Sequence, residues 1–205
     1  STVTDLDKGA ALDKSGPLLP LGQFRDTFII AVDNEGIAII DQHVAHERIL
    51  FEQVVAQLST GPVAGQRLLT PIVVDLTSAQ REALEARTVQ LEQLGFQVRD
   101  FGGESIHIIT IPGLLERSEA ESTVRELAAD AEGFDAGAKV NDVIRRLAAT
   151  TACHAAVKAN DRLTHDKMLY LLDGLRRTEY STVCPHGRPV VLRLTRNEIE
   201  NSFGR

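Results

Sequence analysis

Asp41-Gln42-His43-Val44-Ala45-His46-Glu47-Arg48-Ile49-Leu50-Phe51-Glu52 is the stretch on which the reading turns. It follows an apolar, β-branched run and leads into an amphipathic one, so it marks the passage from a strand into a helix. With the helix starting near Val44 and each residue advancing about 100°, Val44, Leu50, Phe51, Val54, Val55 and Leu58 share one apolar stripe. Glu47 falls near the middle of that stripe. A carboxylate there costs roughly 1–3 kcal/mol even with partial compensation, and it persists when paired, hydrogen-bonded or bound to a cation. The stretch therefore reads as the frame of a site. Glu52 falls on a different side, beyond Arg48, where it faces solvent or pairs locally.

Outward from this stretch, residues 27–32 and 37–40 are β-branched runs around Asp33-Asn34-Glu35-Gly36, which predicts a hairpin with Asp41 at the exit of its second strand. Residues 1–20 show no sustained period and read as the end of a linker. The helix continues to about residue 59, and after the Gly61-Pro62 break come Gln66-Arg67-Leu68-Leu69-Thr70-Pro71 and a strand over 72–76. Thr77 or Ser78 then caps a helix running to Gly95. Strands are expected over 97–101 and 105–111, a polar helix over 119–131, a loop over 133–137 and a long helix over 140–159. A helix over 165–177 with Thr164 as N-cap, a strand over 190–194 and a short helix over 197–202 complete the pattern. The fold class is α+β, a mixed α/β arrangement in which 72–145 forms a smaller unit inserted between 21–71 and 146–205.

Composition narrows the classes. With 205 residues, 43% hydrophobic and 25% charged, the chain has enough apolar material for one large domain or two small ones. It lacks both an apolar run near the roughly 18 residues of a membrane span and the basic-then-apolar start of a signal peptide, so a cytoplasmic location without membrane contact is expected. The net charge of −7 argues against a strong autonomous grip on nucleic acid, which relies on cations replacing phosphate counterions. Cys153 is followed by His154, and Cys184 by Pro185 and His186. Such neighbours favour ligand chemistry over a disulfide.

Three clusters hold the plausible ligands: Asp41, His43 and Glu47; Cys153 and His154; Cys184 and His186. In extended chain, residues two apart point the same way, so Asp41 with His43 and Cys184 with His186 form small chelating pairs. Mixed carboxylate, imidazole and thiolate donors suit zinc or manganese better than calcium. Each residue also has a plainer reading: Asp41 as a helix cap, His43 at the surface, Cys153 as a small core residue, Cys184 in a Pro- and Gly-rich turn.

Taken together, these motifs resemble the C-terminal domain of endonuclease-type MutL mismatch-repair proteins of bacteria. Asp41-Gln42-His43 with Glu47 and Glu52 is similar to that family's endonuclease signature, Ala152-Cys153-His154 with Ala156, Lys158 and Leu163 to a second motif, and Cys184-Pro185-His186-Gly187-Arg188-Pro189 to a third. Gln66-Arg67-Leu68-Leu69-Thr70-Pro71 and Phe203-Gly204-Arg205 supply a fourth and a fifth, all in family order. Val44 replaces the usual alanine, and Asn160 stands where glycine is common, a mild change because asparagine also visits left-handed backbone.

The resemblance implies a homodimerising domain with a latent DNA-nicking site, its first and last segments forming the dimerisation subdomain and 72–145 an external one. It implies catalysis by Asp41, His43 and Glu47, and metal ligation by these with Cys153, Cys184 and His186. Zinc would be structural or regulatory, and manganese or magnesium catalytic. On the residues alone Gln66, Leu68 and Leu69 read as a strand entry with two core leucines, and Lys158, Arg162 and Arg188 as partners in local salt bridges. The resemblance implies instead that Gln66, Leu68, Leu69 and Pro71 form an exposed peptide that docks on a replication sliding clamp, and that the three cations contact DNA phosphates. The implied partners are DNA, held weakly by this domain alone, the clamp, a mismatch-recognition protein, and an N-terminal domain of the same protein that alone binds ATP. Action would take place at the bacterial nucleoid during repair. The alternative is a non-catalytic, zinc-stabilised dimerisation and clamp-docking module.

Overall fold

The computed structural model describes residues 16–134, 138–178 and 189–204. Its elements are β1 (Leu19–Phe24), β2 (Phe28–Asp33), β3 (Gly36–Asp41), α1 (Gln42–Leu58), β4 (Gly65–Asp75), α2 (Ser78–Glu85) and α3 (Thr88–Gln93). There follow β5 (Gln97–Gly102), β6 (Ser105–Pro112), α4 (Ala120–Glu132), α5 (Val140–Ala155), α6 (His165–Arg176), β7 (Val191–Thr195) and α7 (Arg196–Ser202). They form two compact units, Ser1–Leu50 with Ala156–Arg205, and Phe51–Ala155. The inserted unit is thus longer than the 72–145 expected, because α1 passes from one unit to the other along its length. Both sheets are antiparallel, and the fold is α+β. Among the described residues no helix is long and apolar enough to cross a membrane.

In the first unit the sheet order is β1-β2-β3-β7. Alternation along β2 and β3 turns Ile29, Ala31, Ala38 and Ile40 to one face, where they pack with Val44, Ala45 and Ile49 of α1 and Leu171, Leu172 and Leu175 of α6. The β2–β3 turn forms because Asp33 Oδ1 accepts the amides of Glu35 at 2.9 Å and Gly36 at 3.2 Å. Gly36 has φ +147°, and a Cβ there would lie 2.1 Å from the Leu194 carbonyl oxygen, so glycine is what lets β7 close on β3. A buried ion pair between Arg193 of β7 and Asp33 pins the same corner. The opposite face carries Ile30, Val32, Ile37, Ile39, Leu192 and Leu194, all half-buried.

β1 corrects the sequence reading. Residues up to 20 were expected to be linker, yet Leu18 is 5% exposed within the core and Leu19 opens a strand. The strand escapes a period-2 reading because Pro20 and Gly22 interrupt it, and its register shifts between those two residues.

The second unit has a sheet ordered β4-β6-β5. Its core includes Val74, Ile106, Ile108, Phe96, Leu91 and Leu127. Thr77 caps α2 in a reciprocal capping box with Gln80, as the sequence predicts. The single helix expected to reach Gly95 is two helices, broken between Glu85 and Thr88, where the Thr88 hydroxyl donates to the Glu85 carbonyl at 2.7 Å. Gly95 remains the terminator, with φ +86° and its missing Cβ facing the Val63 carbonyl oxygen at 2.9 Å. Gln66–Pro71 does not precede a strand but lies inside β4, whose register on β6 jumps between Arg67 and Ile72. Leu69 there is fully exposed, whereas Leu68 is 8% exposed and belongs to the core, a correction to the expectation that both are surface anchors.

Candidate metal centre

At the start of α1, Asp41 is the N-cap. Its Oδ1 accepts the His43 and Val44 amides, each at 3.0 Å, which satisfies two amides that a helix start leaves without partners. Gln42 is fully buried and acts as a clamp. Its amide nitrogen lies 2.8 Å from the Asp26 carbonyl and 2.9 Å from those of Lys158 and Asp161, while its oxygen accepts from Gln23 at 2.5 Å. Loop 156–164 is thereby hung on the first turn of α1. Asn160 in that loop has φ +72°, the left-handed conformation expected of an asparagine in a glycine position.

Two histidines then meet the backbone of one residue. The His43 Nδ1 lies 2.9 Å from the Val157 carbonyl oxygen, and the Val157 amide donates to His46 Nδ1 at 3.0 Å. A carbonyl only accepts, so His43 carries its proton on Nδ1 and presents a lone pair on Nε2. An amide only donates, so His46 has the opposite tautomer. Burial, then the charge of Lys167 and then His43, lower the His46 pKa to about 4, so at neutral pH the ring is uncharged and its Nδ1 is able to accept.

One turn further along, Glu47 is fully buried, as its place in the apolar stripe predicts, and its Oε2 lies 4.0 Å from His43 Nε2. Zinc bonds to such atoms are about 2.0–2.2 Å, so a small side-chain rotation brings both within reach of one ion. The donor set fits a metal: a carboxylate, and an imidazole whose far nitrogen is tied to a backbone carbonyl, the usual support of a ligating histidine.

The other predicted residues divide. Cys153 lies on α5 in the second unit, four residues before Val157. His154 beside it bonds Glu126 at 2.6 Å and lies 3.4 Å from Glu119. Glu52 is half-buried. Lys158 is half-buried and Arg162 exposed, both in the loop that Gln42 holds. Cys184, His186, Arg188 and Arg205 lie outside the described residues. Sequence reasoning gave Gln42 and His46 no role, because neither a buried amide nor a histidine on a buried helix face announces a backbone partner more than a hundred positions away.

Fold and centre together define an α+β domain with a metal-capable histidine–carboxylate pair at a strand-to-helix junction. The family model described as MutL C terminal dimerisation domain matches residues 21–163, and the chain belongs to that family. It is 43% identical over 188 residues to the DNA mismatch repair protein MutL of Koribacter versatilis, covering 92% of this chain and 29% of the relative. Identity to the proteins of the same description from Acidobacterium capsulatum and Solibacter usitatus is 40% and 38%, over 92% and 95% of this chain and 28% and 30% of theirs. The chain thus spans about three tenths of the length of these mismatch-repair relatives.

Proposed function

We propose that this domain is the metal-dependent DNA-nicking part of a MutL mismatch-repair protein. The observation that carries the reading is the fully buried Glu47 carboxylate one helical turn from His43, whose Nδ1 is tied to the Val157 carbonyl and whose Nε2 faces that carboxylate at 4.0 Å. A divalent ion held there would supply a water of lowered pKa and neutralise charge on the scissile phosphate. Cys153 joins His43 and Glu47 in the ligand set of this reading by family pattern. Asp41, Cys184 and His186 complete the ligand set by family pattern. Zinc is the ion the thiolates retain, and manganese or magnesium the one that activates hydrolysis, because magnesium favours oxygen donors and keeps its waters.

Lys158 and Arg162, in the loop whose Val157 carbonyl meets His43, take the role of phosphate contacts by family pattern, together with Arg188. A second copy of the chain covers the apolar outer face of the β1-β2-β3-β7 sheet, in keeping with the family's description. Exposed Gln66, Leu69 and Pro71 dock the sliding clamp, with Leu68 fixing their strand from inside. A zinc titration against a chromophoric chelator tests the centre. His43→Ala and Glu47→Gln are expected to weaken zinc at least tenfold while circular dichroism stays that of the parent, and unchanged affinity in both would refute the shared ion.

A further inference from the structure

We infer that His46 is a positioning residue: by accepting the Val157 amide it anchors the residue whose carbonyl sets the tautomer and aim of His43. The inference rests on the metal reading of His43 and goes beyond it by assigning a task to a side chain outside the ligand set. His43 and His46 are three residues apart on α1, hence neighbours on its surface. Both reach the same residue of loop 156–164, one through its oxygen at 2.9 Å and the other through its nitrogen at 3.0 Å. The carbonyl of Val157 and the amide of Val157 belong to adjacent peptide planes joined at one Cα. Holding the amide therefore removes much of the rotation that would swing the carbonyl away from His43.

The geometry also explains a histidine at position 46. It is 7% exposed, on a helix stretch where an apolar side chain would pack without cost. A leucine there would leave the Val157 amide without its acceptor, and the α5–loop junction, where the helix has just ended at Ala155, offers that amide no helical carbonyl in exchange. Gln42 restrains the same loop from the next position along, through the Lys158 and Asp161 carbonyls, but touches neither atom of the Val157 peptide pair. The two restraints are separate. Outer partners of this kind typically change metal affinity about 10–100-fold when removed.

The test begins in the metal-free parent chain, where the ring ¹⁵N shifts of His43 should report a proton on Nδ1 and those of His46 a proton on Nε2. The reverse pattern at either ring overturns the inference. His46→Leu keeps the volume and removes the acceptor; it should give His43 a mixture of tautomers and weaken zinc about 10–100-fold. His46→Asn places an amide oxygen where Nδ1 stood, and should restore both properties nearly to those of the parent. If His46→Leu retains a pure Nδ1 proton on His43 and parental zinc affinity, or if His46→Asn fails to rescue a folded protein's His43 tautomer, the assignment is wrong. Should His46→Leu not fold, the parent shifts and the His46→Asn comparison still decide. A failure of the metal reading is distinguishable: His43→Ala would leave zinc affinity unchanged while the tautomer pattern of the parent still held.

Discussion

Asp41 caps α1 through one carboxylate oxygen, which accepts both the His43 and the Val44 amides. The other oxygen takes no part in the cap, so the proposed ligand role is compatible with the structural one. The two roles separate by substitution, because asparagine caps a helix about as well as aspartate. Asp41→Asn is expected to change unfolding free energy by less than about 0.5 kcal/mol, whereas Asp41→Ala costs about 1 kcal/mol, both read by thermal denaturation. Both variants should lose nicking in the full-length protein; an active Asp41→Asn protein would show that the carboxylate charge is not needed. At this scale Glu47 was legible because its spacing put a charge into an apolar stripe. His46 was not, since its partner is a main-chain amide that no spacing rule points to.

Elements with strong local signals were legible: the β2–β3 turn through Asp33 and Gly36, the Thr77 and Thr164 caps, and the Gly95 stop. Where local signal and tertiary need diverged, the reading failed. The α2–α3 break at Ala86-Arg87 contains no glycine or proline, so the helical period ran across it. Helix α5 ends at Ala155, short of the 159 expected, because Val157 and Lys158 give their backbone groups to α1 side chains. β4 was expected only over 72–76, whereas the strand starts at Gly65, its register jumps between Arg67 and Ile72, and Leu68 is buried. This yields a paired prediction. Leu68→Ala should lower unfolding free energy by about 2–5 kcal/mol, and Leu69→Ala by less than about 0.5 kcal/mol, with only the second suited to measuring clamp binding without a folding defect. Equal, small effects in chemical denaturation would return Leu68 to the surface.

For the whole molecule, the outer face of the first unit's sheet carries Ile30, Val32, Ile37, Ile39, Leu192 and Leu194, a contiguous set of half-buried apolar side chains. A second copy seated on it should bury at least about 1,200 Å². Light scattering at micromolar concentration is expected to give twice the 22.4 kDa chain mass, and Ile39→Lys with Leu192→Lys to give the single-chain mass with unchanged circular dichroism. A monomeric parent would contradict the dimer. The net charge of −7 gives this chain little electrostatic attraction of its own for a polyanion.

The most direct measurement is nicking of supercoiled plasmid by the full-length protein in manganese, parent beside Glu47→Gln. The site predicts relaxed, singly nicked circles from the parent and none above background from Glu47→Gln, which keeps the shape of the side chain and removes its charge. Nicking undiminished in Glu47→Gln, or absent from a folded, zinc-loaded parent, would contradict the catalytic reading and leave a zinc-stabilised dimerisation and clamp-docking module in its place.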